Sequence, residues 1–147
     1  MCVMDYATIA CGDKFGNIFV LRLPDHANDE MQVTSGNLWD QGVLNGAPNK
    51  LEVINHFYLG ELPTGITKTA MKFHGKEVLI ISTVLGGLYA FVPAKSKDEA
   101  GLFQHLEMFL RQEYTNLCHR DHLSFRSYFT PVKSVIDVTL CERYMQS

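Results

Sequence analysis

Between Tyr6 and Leu23 the chain alternates two short runs rich in β-branched and apolar residues, Tyr6 to Cys11 and Ile18 to Leu23, around the polar linker Gly12 to Asn17 (GDKFGN). Gly12, Asp13, Gly16 and Asn17 are turn-formers that tolerate positive φ, so the pattern predicts a β-hairpin. Asp25 to Gly36 is polar and without period, which reads as a surface loop. Leu38 and Trp39 stand alone as a local anchor, and Gly42 to Lys50 returns to turn chemistry. From Leu51 to Leu59 an imperfect alternation places Leu51, Val53, Phe57 and Leu59 on one face and His56 and Tyr58 on the other. Ile66 to Phe73 alternates again, with a turn at His74 and Gly75. Val78 to Val84 (VLIISTV) is the most apolar run and predicts a buried strand, and Leu88 to Val92 follows the Gly86-Gly87 turn before Pro93 ends it.

These four runs between residues 51 and 92 predict one antiparallel meander of four strands. With the first hairpin they suggest part of a radially repeated all-β structure, about one and a half blades of a β-propeller. An open arc leaves sheet edges and inter-blade faces bare, so the chain is expected to be completed by other protein and to aggregate when expressed alone.

After Val92 the period lengthens. Ser96 caps a predicted helix from Lys97 to Glu113, with Asp98 and Glu99 in its first turn and Leu102, Phe103, Leu106, Phe109 and Leu110 as one stripe. A second helical piece is predicted over Arg120 to Phe129, stopped by Pro131, and a third from near Asp137. The fold class is therefore mainly β with a C-terminal helical part: residues 1–93 a partial β-propeller, and residues 94–147 the start of a C-terminal helical domain.

The densest chemistry lies from Leu117 to Asp137 (LCHRDHLSFRSYFTPVKSVID). Leu123, Phe125 and Phe129 offer apolar anchors, and Arg120, Asp121 and Arg126 can bond carbonyls and carboxylates, with a guanidinium fork among the stronger polar contacts. This mixture suits a segment that docks against protein, with Arg120, Asp121 and Arg126 as the candidate contacts. His119-Arg120-Asp121 matches the first three residues of a kinase catalytic loop, but Arg126 stands where that loop needs Asn and no glycine-rich loop accompanies it. His119, Asp121 and His122 form an imaginable metal set for a hydrolase, yet no further ligand follows at a known spacing and Arg120 between them repels a cation. The Gly12–Gly16 stretch lacks the P-loop pattern. Leu38-Trp39-Asp40 is not at a strand end, as a blade's WD dipeptide would be. Phe57, Tyr58, Tyr89 and Phe91 have no basic surround and read as core rather than as a base-stacking platform. No catalytic, metal or cofactor residues are assigned.

Composition narrows the class further. In 147 residues, 46% are hydrophobic and 20% charged, and the formal charge of −3 argues against a whole-chain electrostatic nucleic-acid binder. Cys2, Cys11, Cys118 and Cys141 are scattered with no CxxC pair, which reads as reduced thiols of a cytosolic or nuclear protein. No secretory pattern opens the chain and no apolar run approaches the ~20 residues of a membrane span, so a soluble intracellular protein is expected.

At DKFGNIFVLRLP (Asp13 to Pro24), LNGAPNK (Leu44 to Lys50), FQHLEMFLRQE (Phe103 to Glu113) and CHRDHLSFRSYFTPVKSVID (Cys118 to Asp137), the chain resembles the C-terminal region of the cleavage and polyadenylation specificity factor A subunit family. These large triple-propeller proteins serve pre-mRNA splicing, pre-mRNA cleavage and ubiquitin-ligase adaptation, and the blocks look most like the splicing branch. The resemblance implies the closing blades of a last propeller, then a helical domain. It also implies a nuclear, non-enzymatic scaffold of the splicing factor 3b complex in the U2 small nuclear ribonucleoprotein, supporting branch-site recognition. The implied partners are the HEAT-repeat subunit and small subunits of that complex, with RNA contact indirect or local; Arg120, Asp121 and Arg126 match the family's docking segment. A related scaffold in cleavage and polyadenylation, or a ubiquitin-ligase adaptor, is the alternative. The chain departs from the family where Ile136 to Glu142 reads IDVTLCE in place of IDGDLCE, and where His119 replaces a usual glycine. Family members are many times longer, so the chain is expected to be a piece or a reduced relative of one.

Overall fold

The computed structural model describes residues 1–25, 51–71, 77–113 and 118–146. Among these described residues seven strands come first: β1 (Cys2–Val3), β2 (Thr8–Gly12), β3 (Asn17–Arg22), β4 (Glu52–Tyr58), β5 (Pro63–Ala70), β6 (Glu77–Thr83) and β7 (Leu88–Phe91). Among the described residues two helices follow, α1 (Lys97–Glu113) and α2 (Val138–Gln146), with a 3-10 turn at His122–Phe125 between them. The loop expected over Asp25 to Gly36 apart from its first residue, the Trp39 anchor, the Gly42–Lys50 turn and the His74-Gly75 turn lie outside the described residues.

The predicted hairpin forms, with β2 and β3 antiparallel from Thr8↔Arg22 to Gly12↔Ile18. Its turn is built by Asp13, whose Oδ1 accepts the Phe15 and Asn17 amides at 2.9 Å each, and by Gly16 at φ 94°. Only glycine fits there, because a Cβ would meet the Glu61 backbone oxygen at 2.9 Å.

The predicted four-stranded meander is corrected. β4 pairs with β3, in register from Asn17↔Tyr58 to Arg22↔Glu52 with a bulge beside Val20, while β5 begins a second sheet. One sheet has the order β1-β2-β3-β4 and the other β5-β6-β7, both antiparallel. The break falls where Leu59 donates back to the Gly16 carbonyl at 2.8 Å, extending the β3–β4 ladder, and Gly60 at φ 82° redirects the chain. Among the described residues neither sheet closes on itself.

The sheets share one core. Ala10, Ile18, Phe57 and Leu59 from the first meet Leu79 and Ile81 from the second, with Ile66, Tyr89, Phe91, Val132 and Val135 at the margin. Phe57 and Phe91 make an edge-to-face pair across the sheets with centroids 5.6 Å apart, a favoured aromatic geometry. Phe57, Tyr89 and Phe91 thus belong to the core or its margin, as read from the sequence, whereas Tyr58, half-buried, packs outside that core against Tyr128. Among the described residues no strand pairs with the outer edges of β5 or β7, and Val84, Leu85, Leu88 and Val92 are exposed there.

The helix α1 starts as predicted, the Ser96 hydroxyl accepting the Glu99 amide at 3.1 Å. Its stripe is only half covered: Leu106 and Leu110 pack on Leu140 and Cys141 of α2, while Leu102 and Phe109 face solvent. The helical piece expected over Arg120 to Phe129 shrinks to the 3-10 turn. The backbone beyond that turn is engaged by β4 instead of by a helix ladder, as the Tyr58 amide bonding the Arg126 carbonyl at 3.0 Å shows. The third helix starts one residue past Asp137, as α2.

Candidate interaction surface around the 118–137 segment

The segment predicted to dock elsewhere docks first on its own sheet. His56 and Lys133 exchange both backbone hydrogen bonds, at 3.1 and 3.0 Å, as an isolated antiparallel bridge on the free edge of β4. The Asn55 side-chain amide donates to the Ser134 carbonyl at 2.7 Å and Lys133 Nζ to the Val53 carbonyl at 2.5 Å. Unpaired β4 donors and acceptors would otherwise be open to pairing, and this strip satisfies them.

Two ion pairs fix the segment's other side. Arg111 on α1 holds Asp121 through two parallel bonds, Nε to Oδ1 at 2.7 Å and Nη2 to Oδ2, with both side chains partly in water. Arg126 Nε and His122 Nε2 both lie 2.7 Å from Asp137 Oδ2, and that carboxylate is only 4% exposed. Its other oxygen accepts the Thr139 amide at 3.1 Å and so caps α2, while the Asp137 amide donates to buried Glu107 of α1. Burial pushes the Asp137 carboxyl up, but the His122 and Arg126 hydrogen bonds and the Arg126 charge outweigh it and hold it below its ordinary value. For Asp121, the Arg111 bond likewise prevails and lowers it. Arg126 also covers the Phe57 ring, 5.2 Å from its centroid, which ties the ion pair to the sheet core.

What remains outward is aromatic. Tyr128 stacks on Tyr58 at 5.4 Å, meets Phe15 at 5.9 Å and touches Phe129 edge-on at 5.3 Å, with Lys14 over Phe15. Phe15, Phe125, Tyr128 and Phe129 are exposed, Phe129 to 64%, and Arg120 is exposed beside them in sequence. The structure therefore pairs Asp121 with Arg111 and Arg126 with Asp137, and exposes the rings; Arg120 is exposed as well, though not without a partner of its own. Sequence reading singled out neither Phe15 nor Tyr58 as part of this surface, nor Asp137 as the buried anchor behind it. The one available signal was Asp137 itself, an acidic residue immediately before an apolar helical run. Among the described residues, no three His, Cys, Asp or Glu side chains converge to hold a metal, and His122 of the imagined set is engaged by Asp137.

A family profile described as the CPSF A subunit region matches residues 1–146. The chain belongs to that family. It is 48% identical over 146 residues to splicing factor 3B subunit 3 of Danio rerio and 44% identical over 144 residues to spliceosome-associated protein 130 A of Arabidopsis thaliana. It is 41% identical over 145 residues to pre-mRNA-splicing factor prp12 of Schizosaccharomyces pombe. Each match takes in 96–97% of this chain but 12% of the relative, so the chain spans about an eighth of the length of these CPSF A family members. Within the CPSF A region described here, no helix among the described residues is long and apolar enough to cross a membrane.

Proposed function

We propose that this chain acts in pre-mRNA splicing as part of a non-enzymatic scaffold of the splicing factor 3b complex in the nucleus. Similarity to splicing factors along almost its whole length is the observation that supports this reading. Residues 1–93 are then closing blades of a β-propeller and residues 94–147 the start of a helical domain. The exposed apolar edge at Val84, Leu85 and Leu88 and the open stripe at Leu102 and Phe109 suit such a slice, because both present apolar side chains for other protein to cover.

In this reading the 118–137 segment meets a neighbouring subunit, either the HEAT-repeat subunit or a small one, within the U2 small nuclear ribonucleoprotein that engages the branch site. Arg120, Phe125, Tyr128 and Phe129 make the contact, a composition of arginine and aromatic rings that interface centres favour. Asp121 and Arg126 contribute from behind by holding the segment through Arg111 and Asp137. Tagged protein purified from nuclear extract should carry U2 particle proteins, and the combined Arg120→Ala and Phe129→Ala change should weaken that recovery. Purification without any of them would refute the proposal. Recovery of cleavage-factor or cullin subunits in their place would move the chain to another branch of the family.

A further inference from the structure

Of the five prolines in the chain, only Pro131 follows a hydroxyl residue, Thr130, and Lys133 stands three positions after that threonine. The run Thr130-Pro131-Val132-Lys133 is the acceptor pattern of proline-directed serine/threonine kinases. Its chemistry is specific. The cleft of such a kinase offers no acceptor to the amide that follows the phosphorylated residue, and proline alone has no N–H to leave unsatisfied. A cation three residues after the acceptor pairs with a phosphate or carboxylate beside that cleft. A four-residue pattern also recurs by chance, so the structural context decides.

That context is favourable. Pro131 and Lys133 are exposed, and Thr130 is half-buried between the 3-10 turn and α2, outside any strand. The residue before a proline is held away from helical angles, towards the extended form that a kinase cleft receives. The neighbouring Ser124 and Ser127 hydroxyls donate to the Asp121 and Leu123 carbonyls at 2.6 and 2.8 Å, whereas among the described residues no hydrogen bond engages the Thr130 hydroxyl. The attachment to β4 restricts access. Lys133 exchanges both backbone bonds with His56, the Pro131 carbonyl lies 2.8 Å from His56 Nδ1, and Asn55 donates to the Ser134 carbonyl at 2.7 Å. A cleft that must wrap the backbone from Thr130 to Lys133 takes this strip only once those bonds have opened.

We propose that Thr130 is a phosphorylation site for a proline-directed kinase, that opening of the Pro131–Ser134 strip from β4 gates its modification, and that the phosphate detaches the neighbouring subunit from the aromatic surface. The last step rests on the splicing-scaffold reading above. In the transfer Thr130 Oγ1 attacks the γ-phosphorus of ATP. An Oγ1–P bond forms, the bond from that phosphorus to the β,γ-bridging oxygen breaks, ADP leaves, and the hydroxyl proton passes to the kinase's catalytic carboxylate. The product carries a charge of about −1.5 to −2 at pH 7, one residue from the exposed Phe129 ring. A partner that covers Phe129 must then take that charge out of water. Arg126 is committed to Asp137, Lys133 to the Val53 carbonyl and Lys14 to the Phe15 ring, so the surface does not neutralise it in place.

The test incubates the full chain, carried on a solubility tag, with ATP and a cyclin-dependent kinase, and locates the phosphate by mass spectrometry of its peptides. Phosphate should appear on Thr130 and be lost in Pro131→Ala, whose threonine is intact. Asn55→Ala removes one bond that holds the strip and should speed the modification about fivefold, the factor that a single hydrogen bond represents, towards the rate of a free 125–135 peptide. The modified chain should then recover about tenfold less U2 protein from nuclear extract than the unmodified chain, and phosphatase treatment should restore the recovery. Absence of phosphate on Thr130 in both chain and peptide, equal labelling of Pro131→Ala, an unchanged rate in Asn55→Ala, or undiminished recovery by the modified chain would each overturn the proposal. An unmodified chain that recovers no U2 protein would instead refute the splicing reading and the release step with it, while the labelling of Thr130 still decides the modification.

Discussion

Replacing Asp137 by Ala removes the carboxylate that holds three parts of the C-terminal region together. Its side chain is 4% exposed and accepts from Arg126, His122 and the Thr139 amide. Leaving one member of a fully buried ion pair unpartnered costs about 3–5 kcal/mol. Arg126 and His122 keep 20% and 15% of their side-chain surface in water and can partly rehydrate, so about 2 kcal/mol is the appropriate share here. Losing the α2 cap adds about 1 kcal/mol. The total of about 3 kcal/mol corresponds to a roughly 100-fold rise in local opening. Native-state hydrogen exchange should show it in 121–137 and α2 but not in β5–β7. Asp121→Ala is the control: its pair with Arg111 is partly exposed and should contribute no more than about 1 kcal/mol. A double-mutant cycle of Asp137→Ala with Arg126→Met should give a coupling of at least ~1 kcal/mol. An Asp137→Ala effect no larger than the control, or strict additivity in the cycle, would refute the reasoning.

Acid should act on the same carboxylate. Because its folded value is depressed, Asp137 stabilises α2 above the ordinary carboxylate value of ~4, and this contribution is lost as pH falls through the lower folded value. Exchange of α2 followed on acidification should show that step, and Asp137→Asn should abolish it. Gly16→Ala should cost about 2 kcal/mol or more, since φ 94° strains any side chain and the new Cβ meets immovable Glu61 backbone; an unchanged melting temperature would contradict this. His119, at φ 52°, carries similar strain on an exposed link, so His119→Gly should gain up to about 1 kcal/mol in exchange protection of the 118–121 stretch. Expressed alone, the chain should precipitate through Leu85, Leu88 and the α1 stripe, and Leu85→Ser with Leu88→Ser should raise its soluble fraction; a monomer with a sharp reversible melt would contradict that.

The strands and α1 were legible because alternation and helical period record which side of an element is apolar. They do not record the neighbour. Leu51 to Leu59 reads as a strand from its own residues, but its pairing with β3 rather than β5 depends on Gly16 and Gly60 positioning the turn. His56 sat on what looked like the polar face and is fully buried, since the strip that covers it comes from a segment with no strand pattern. Arg126 and Asp121 looked outward for the same reason. Their partners lie at Asp137 and Arg111, 11 and 10 positions away, in geometry that no helical period announces. The α1 stripe announced apolar character at Leu102 and Phe109 correctly, but a stripe says nothing about whether its cover belongs to the same chain.

The bridge between β4 and the strip also sets a timetable. His56 and Pro131 are 75 positions apart, so during synthesis β4 leaves the ribosome long before the residues that seal it. At a translation rate of about 5–20 residues per second, the nascent sheet waits roughly 4–15 s with that flank bare. Any chaperone that guards this stretch has its work in that interval, and slow codons placed between Leu59 and Pro131 would lengthen it.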